Sequence, residues 1–183
     1  MRKLKLQVQM TVDGFVGGPK GELDWMTRGT DQGVIDAIIQ ITDSSDTILL
    51  GRGMTDGFIK YWESVPTDSP EYDFAKRMVN TPKIVFSKTV KHVDGKNVSV
   101  ENGDLVEAVT RLKNQPGKDI IVYGGATFVR NLIANRLIDE LNIFVNPVAI
   151  GDGLRIFGQR TELVLVKSTG YGNGEVVNTY RLK

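Results

Sequence analysis

Ile121-Val122-Tyr123-Gly124-Gly125-Ala126-Thr127 runs a short apolar segment straight into a double glycine. Ile48-Leu49-Leu50-Gly51-Arg52-Gly53 repeats the theme. A brief, continuously apolar run of this kind suits a strand buried on both faces, as in a parallel sheet covered by helices. Working outward, Leu4, Leu6, Val8 and Met10 fall at period two, which predicts a first strand with one face on a core. Val34, Ile35, Ile38, Ile39 and Ile41 form a broad stripe between Asp31 and Ser44, which predicts a helix. Ser69-Pro70 predicts the start of a short helix over 71–79. Segments 82–87 and 97–100 read as strands, the second following the Asp94-Gly95 turn. Asp104 and Glu107 have capping-box spacing and open a helix stopped by Pro116-Gly117. A strand at 119–123, a helix at 127–135 and a strand at 141–148 follow. The stretches 162–168 and 175–182 flank Gly170-Tyr171-Gly172-Asn173-Gly174 and read as an antiparallel closing pair. Strands alternating with helices predict an α/β fold: a mostly parallel central sheet, helices on both faces and an antiparallel C-terminal edge.

Composition narrows the chemistry. The chain has 183 residues, 40% hydrophobic and 25% charged, the balance of one globular domain over 1–183. Twenty-three basic against 22 acidic residues leave a net charge of +1, so no global field attracts nucleic acid or a membrane surface. Cysteine is absent and His92 is the single histidine, which excludes disulfides, thiolate nucleophiles, Cys-ligated zinc and a His-rich metal site. His92 precedes the Asp94-Gly95 turn and reads as a surface residue. Gly151-Asp152-Gly153 lacks the acidic ligands of a calcium loop, so no metal is expected. No apolar run reaches the roughly 18 residues of a membrane span, and the N-terminus reads as a strand and not a signal peptide. The expectation is a cytoplasmic protein with a small-molecule substrate.

Chemistry is expected at the two glycine turns. In open α/β sheets ligands bind beyond the carboxyl ends of the strands. Glycine lets backbone amides come close, and a following helix aims its first amides at the same spot. Gly124, Gly125, Ala126 and Thr127 suit a pyrophosphate, and Arg52 beside Gly51 adds a cation. Ser87-Lys88 ends a third strand with a hydroxyl and a charge that suit a ribose phosphate, favouring NADP over NAD. A second cluster, Asp13-Gly14-Phe15 and Asp24-Trp25, sets acids beside aromatics near a glycine-rich loop. A planar heterocycle would stack on Phe15 or Trp25 while Asp13 or Asp24 binds polar edges or relays a proton. Asp13 as a turn residue, Asp24 as a helix cap and Trp25 as core are the competing structural readings.

In order, Thr11-Val12-Asp13-Gly14-Phe15, Gly21-Glu22-Leu23-Asp24-Trp25, Leu50-Gly51-Arg52, Lys83-Ile84-Val85-Phe86-Ser87, Tyr123-Gly124-Gly125-Ala126 and Asp139-Glu140-Leu141, with Pro147 and Gly151-Asp152-Gly153, resemble the dihydrofolate reductase-like superfamily. More narrowly, the chain is similar to the reductase domain of the bifunctional riboflavin-biosynthesis deaminase/reductase and its stand-alone bacterial relatives. The resemblance implies an NADPH-dependent oxidoreductase like 5-amino-6-(5-phosphoribosylamino)uracil reductase. It sets Gly51 and Arg52 at the cofactor phosphates, Ser87 with Lys88 near the ribose phosphate, and Gly124 to Thr127 along the pyrophosphate and nicotinamide. Asp13 matches the family's acidic first-loop position, at the ribose-derived part of the substrate. It also implies a homodimer. Met54 stands where the family often has Thr; either that change alters one phosphate contact, or Thr55, the next residue, replaces the hydroxyl. The zinc deaminase half is missing from this length of chain. Two alternatives stay open: a nucleotide-binding domain of the same fold without turnover, and a true dihydrofolate reductase.

Overall fold

The computed structural model describes residues 1–27 and 31–183. Arg28 to Thr30 lie outside the described residues. The elements run β1 (Leu4–Thr11), α1 (Gln32–Asp43), β2 (Ser45–Gly51), α2 (Arg52–Ser64), α3 (Tyr72–Asn80), β3 (Lys83–Phe86), β4 (Val98–Glu101), α4 (Leu105–Lys113), β5 (Asp119–Val122), α5 (Ala126–Ala134), β6 (Glu140–Asn146), β7 (Leu163–Gly170) and β8 (Val176–Leu182). The strands form one sheet in the order β4-β3-β2-β5-β1-β6-β8-β7. The first six in that order pair in parallel. β8 is antiparallel to both β6 and β7, which gives the expected C-terminal edge.

Both faces carry helices. Leu4, Leu6, Val8 and Met10 of β1, with Leu49, Ile120, Val122, Leu141 and Ile143, pack against Val109 and Leu112 of α4 and Val129, Leu132 and Ile133 of α5. On the other face Ile48, Leu50, Val85 and Ile121 meet Met78 of α3 and Met54, Phe58 and Trp62 of α2. Phe144 and Val177 meet Val34, Ala37 and Ile38 of α1 there. Each fully buried Leu, Ile or Phe contributes on the order of 1.5–3 kcal/mol. Caps fix the ends of two helices. Asp31 accepts from the Gly33 and Val34 amides ahead of α1, and Asp104 accepts from the Val106 and Glu107 amides ahead of α4.

Three features depart from the sequence reading. β1 is not a strand with one solvated face but the centre of the sheet, between β5 and β6. Its polar positions Gln7 and Gln9 therefore point to the α1 side of a buried layer, where they line a cleft. α2 has no counterpart in the pattern, because Gly53 and Gly57 weaken its helical propensity and read as turn chemistry. Packing sustains it: Met54, Phe58 and Trp62, one turn apart, lie on the sheet. Ser69 does not cap α3 directly. Its hydroxyl accepts from the Glu71 amide in a turn just before the helix.

Candidate functional site

The two glycine turns meet. β2 ends at Gly51 and α2 begins at Arg52, while α5 begins immediately after Gly125. A Cβ on Gly125 would sit 3.2 Å from the Gly51 Cα, so the turns are in backbone contact. A Cβ on Gly51 would come within 2.6 Å of the Phe128 Cβ. Gly124 and Gly125 have φ of 153° and 86°, values that L side chains rarely adopt. Neither α2 nor α5 has a side-chain hydrogen bond at its N-cap. Two sets of first-turn amides, each at the positive end of a helix dipole, thus open beside one another.

They open into a cleft of about 1700 Å³ at the carboxyl end of the parallel strands. Gly51, Arg52, Ser87, Lys88, Gly124, Gly125, Ala126 and Thr127 all line it, so these eight expected cofactor residues are brought together. Arg52 pairs with Asp56 at 2.9 Å on the exposed side of α2. The Ser87 Oγ accepts from the Thr89 amide at 3.2 Å and the Val90 amide at 3.1 Å. The Ser87 hydroxyl also lies 3.4 Å from Thr89 Oγ1, and the side chain lines the cleft. Lys88 donates to the Asn102 and Gly103 carbonyls at the mouth. The residues fit a dinucleotide: two sets of first-turn amides and the cations Arg52 and Lys88, lining one cleft, have the sign opposite to that of a diphosphate.

Thr55 does not replace the hydroxyl missing at Met54. It is fully buried and donates to the Gly51 carbonyl at 3.0 Å inside α2, while Met54 lines the cleft. Asp13, Phe15, Asp24 and Trp25 are likewise not among the cleft-lining residues. The Asp13 carboxylate accepts from Thr11 Oγ1 at 2.5 Å and from the Gly151 and Ile150 amides at 2.8 and 3.1 Å. The Thr11 bond, then those amides, hold it below the usual carboxylate range despite slight burial. It is a strap for the 150–151 loop. Phe15 is buried under the Arg155 guanidinium, 4.0 Å from the ring centre. Asp24 is exposed in a turn, and the Trp25 indole donates to the Glu22 carbonyl at 3.0 Å. His92 is exposed and pairs with Asp94, as its position before a turn implies.

The half of the cleft beneath α1 holds residues that the sequence reading missed: Gln7, Gln9, Asp31 and Glu175. Glu175 directly precedes β8, beside the end of β6, and is 1% exposed. Burial, then the negative charge of Asp31, push its carboxyl above the usual range against a lowering hydrogen bond from Asn173. Tyr123 closes the wall between the halves. Its hydroxyl lies 2.8 Å from Thr42 Oγ1, and burial raises the phenol well above its ordinary value. The available signal was the alternation of β1 itself, which sets Gln7 and Gln9 with Lys5 and Thr11 on the face opposite Leu4, Leu6, Val8 and Met10.

Residues 2–177 match the model of the RibD C-terminal domain, and the chain belongs to that family. Bacillus subtilis YyaP is 34% identical over 182 residues, covering 98% of this chain and 94% of its own. Among solved structures, the Thermotoga maritima diaminohydroxyphosphoribosylaminopyrimidine deaminase/5-amino-6-(5-phosphoribosylamino)uracil reductase shares the fold at a TM-score of 0.70 and 16% identity, over 100% of this chain and 57% of that one. Enterococcus faecalis dihydrofolate reductase, complexed with NADP(H), shares it at 0.65 and 16% identity, over 99% and 96%. The expected dihydrofolate reductase-like fold and the resemblance to the riboflavin-pathway reductase domain therefore hold. No helix of the described residues is long and apolar enough to cross a membrane.

Proposed function

We propose that this chain is an NADPH-dependent reductase acting on a small polar heterocyclic or sugar-linked substrate. The observation that carries the reading is the backbone contact between Gly51 and Gly125, which joins two uncapped helix N-termini into one anion seat. Gly51, Gly124, Gly125, Ala126 and Thr127 hold the diphosphate, with Arg52 adding charge. Ser87 and Lys88 hold the 2′-phosphate. NADPH, when bound, supplies a hydride. The chain's own residues orient the substrate beneath α1, and the apolar wall of Val34, Ile38 and Phe58 excludes water. The family and the NADP(H) complex of the Enterococcus faecalis enzyme support the cofactor assignment. The homodimer implied by resemblance belongs to the same proposal, and a monomer mass by light scattering removes it.

Fluorescence titration with NADPH and NADH tests the assignment, with saturable NADPH binding at a Kd below about 1 mM expected. Failure of both nucleotides to bind removes it. Ser87→Ala should weaken NADPH about tenfold and leave NADH unchanged, since one charge-assisted hydrogen bond goes only to the extra phosphate. Loss of NADPH absorbance over a panel of pterins and pyrimidines then separates a working reductase from a domain that binds without turnover.

A further inference from the structure

Among the described residues three buried side-chain oxygens lack a hydrogen-bond partner: Gln7 Oε1, Ser45 Oγ and Glu175 Oε1. Ser45 lies outside the cleft, whereas Gln7 and Glu175 line it. An unmet buried polar atom costs about 1–3 kcal/mol, so two in one cleft call for a ligand that answers them. Glu175 is the titratable one, and its surroundings fix where its proton sits. The Glu175 amide donates to Asn173 Oδ1 at 3.1 Å, which orients that side-chain amide. Asn173 Nδ2 then donates to Glu175 Oε2 at 2.9 Å. With Oε2 committed as acceptor, a proton on this carboxyl resides on Oε1, the oxygen without a partner.

The neutral form is favoured on independent grounds. Asp31, across from it at the start of α1, has both oxygens committed to the Gly33, Val34 and Gly172 amides. It is the charged group that acts on Glu175 among the described residues, and its charge opposes a second one. Val176 pairs with Val145 of β6, so Glu175 stands at the same carboxyl end of the sheet as Gly51 and Gly124.

We infer that Glu175 is the acid of the substrate half of the cleft, its Oε1–H donating to a ring nitrogen or carbonyl oxygen of the substrate and delivering the proton that reduction needs. The inference rests on the reductase reading. Reduction of a C=N or C=O bond adds a hydride to carbon and leaves an electron pair on the heteroatom. As the new N–H or O–H bond forms there, the Oε1–H bond breaks, and the carboxylate recovers its proton from water. Glu175 accordingly selects an uncharged, acceptor-bearing heterocycle in that half of the cleft.

Two measurements on the full chain test this. Infrared difference spectra taken through a pH titration should show a protonated-carboxyl stretch that outlasts those of the exposed carboxyls as pH rises and is missing in Glu175→Gln and in Glu175→Met, the second variant guarding against a folding defect in the first. The probe 2-aminopyrimidine, followed by ligand-observed NMR, should lose about tenfold in affinity in the native chain as pH is raised through the loss of that stretch. Glu175→Gln keeps a donor and cannot ionise, so its affinity should be flat with pH. A missing band, no probe binding, or the same pH slope in Glu175→Gln overturns the inference. NADPH titrated on the same samples should bind within about twofold in every variant. Loss of NADPH binding by the native chain would instead remove the reductase reading, with the infrared band still deciding where the proton sits.

Discussion

Gly125→Ala is the sharpest perturbation of the anion seat. At φ of 86° an alanine costs roughly 1–2 kcal/mol in the left-handed region. Its Cβ would lie 3.2 Å from the Gly51 Cα, a backbone atom that cannot swing aside, so the two turns must part by a few tenths of an ångström. Overpacking of that kind costs about 1–3 kcal/mol. The sum, about 2–5 kcal/mol, does not exceed the lower end of the 5–15 kcal/mol of a typical domain, so the variant folds with Tm lowered by about 4–20 °C. Parting the turns also misaligns first-turn amides of α2 and α5. The loss of one charge-assisted bond, about 2 kcal/mol, weakens NADPH by about 30-fold. Differential scanning fluorimetry and a fluorescence titration read the two effects separately. Gly151→Ala serves as the control: φ is 80°, nothing lies within 4 Å of the added Cβ, and the residue is outside the cleft. It should show the strain alone, with NADPH unaffected. If Gly125→Ala binds NADPH within about threefold of the native chain while losing stability, the amides at the joined turns are not the seat.

Two further outcomes follow from buried and strapped charges. Asp13→Ala should speed hydrogen exchange at the Ile150 and Gly151 amides and leave NADPH binding unchanged. The native carboxyl is lowered by the Thr11 bond and then these amides, so its contribution is present above the ordinary value of 3.8 and is lost as pH falls through the lowered one. An unchanged exchange rate would deny the strap. Lys83, 2% exposed, donates to the Met78, Val79 and Thr81 carbonyls at the end of α3, and burial pushes it down to about 8 against the opposing charge of Glu63. The unfolded chain then binds more protons between pH 8 and 10.5, so stability should rise across that window by up to about 3 kcal/mol. Urea denaturation of Lys83→Met should lack the rise, and an identical slope in both proteins would refute the assignment.

The sheet was legible because each strand carries its own short-range signal. Ile48 to Leu50 and Ile120 to Val122 are continuously apolar, as strands under two helical layers must be, and Asp31 and Asp104 mark helix starts by a side chain that reaches only two or three residues. The two glycine turns were legible for the same reason: glycine after an apolar strand is a local demand. α2 was hidden because Gly53 and Gly57 speak locally against a helix that Met54, Phe58 and Trp62 sustain from across the sheet. Thr55 was misjudged because neighbouring positions on a helix face different ways, so a hydroxyl one residue along is turned inward.

The substrate half shows the limit most clearly. Glu175 owes its role to three partners from different elements: Asn173 two residues back, Asp31 at the start of α1, and β6, whose end it flanks by the Val145–Val176 register. In the linear chain it is one acidic residue after a glycine-rich turn, and nothing within a few residues distinguishes it from a solvated one. Asp13 errs in the opposite direction. An acid just past the first strand looks like a site residue, yet folding brings the Ile150 and Gly151 amides, more than 130 positions away, to consume its oxygens. The physical distinction is whether the folded chain has already supplied a carboxyl with donors. Where it has, as at Asp13 and Asp31, the group holds structure; where one oxygen beside a cleft is left without a partner, as at Glu175, a ligand would complete it. By that criterion the chemistry of this chain is divided along the sheet, with backbone amides and cations at β2, β3 and β5 and a single acid beside β6.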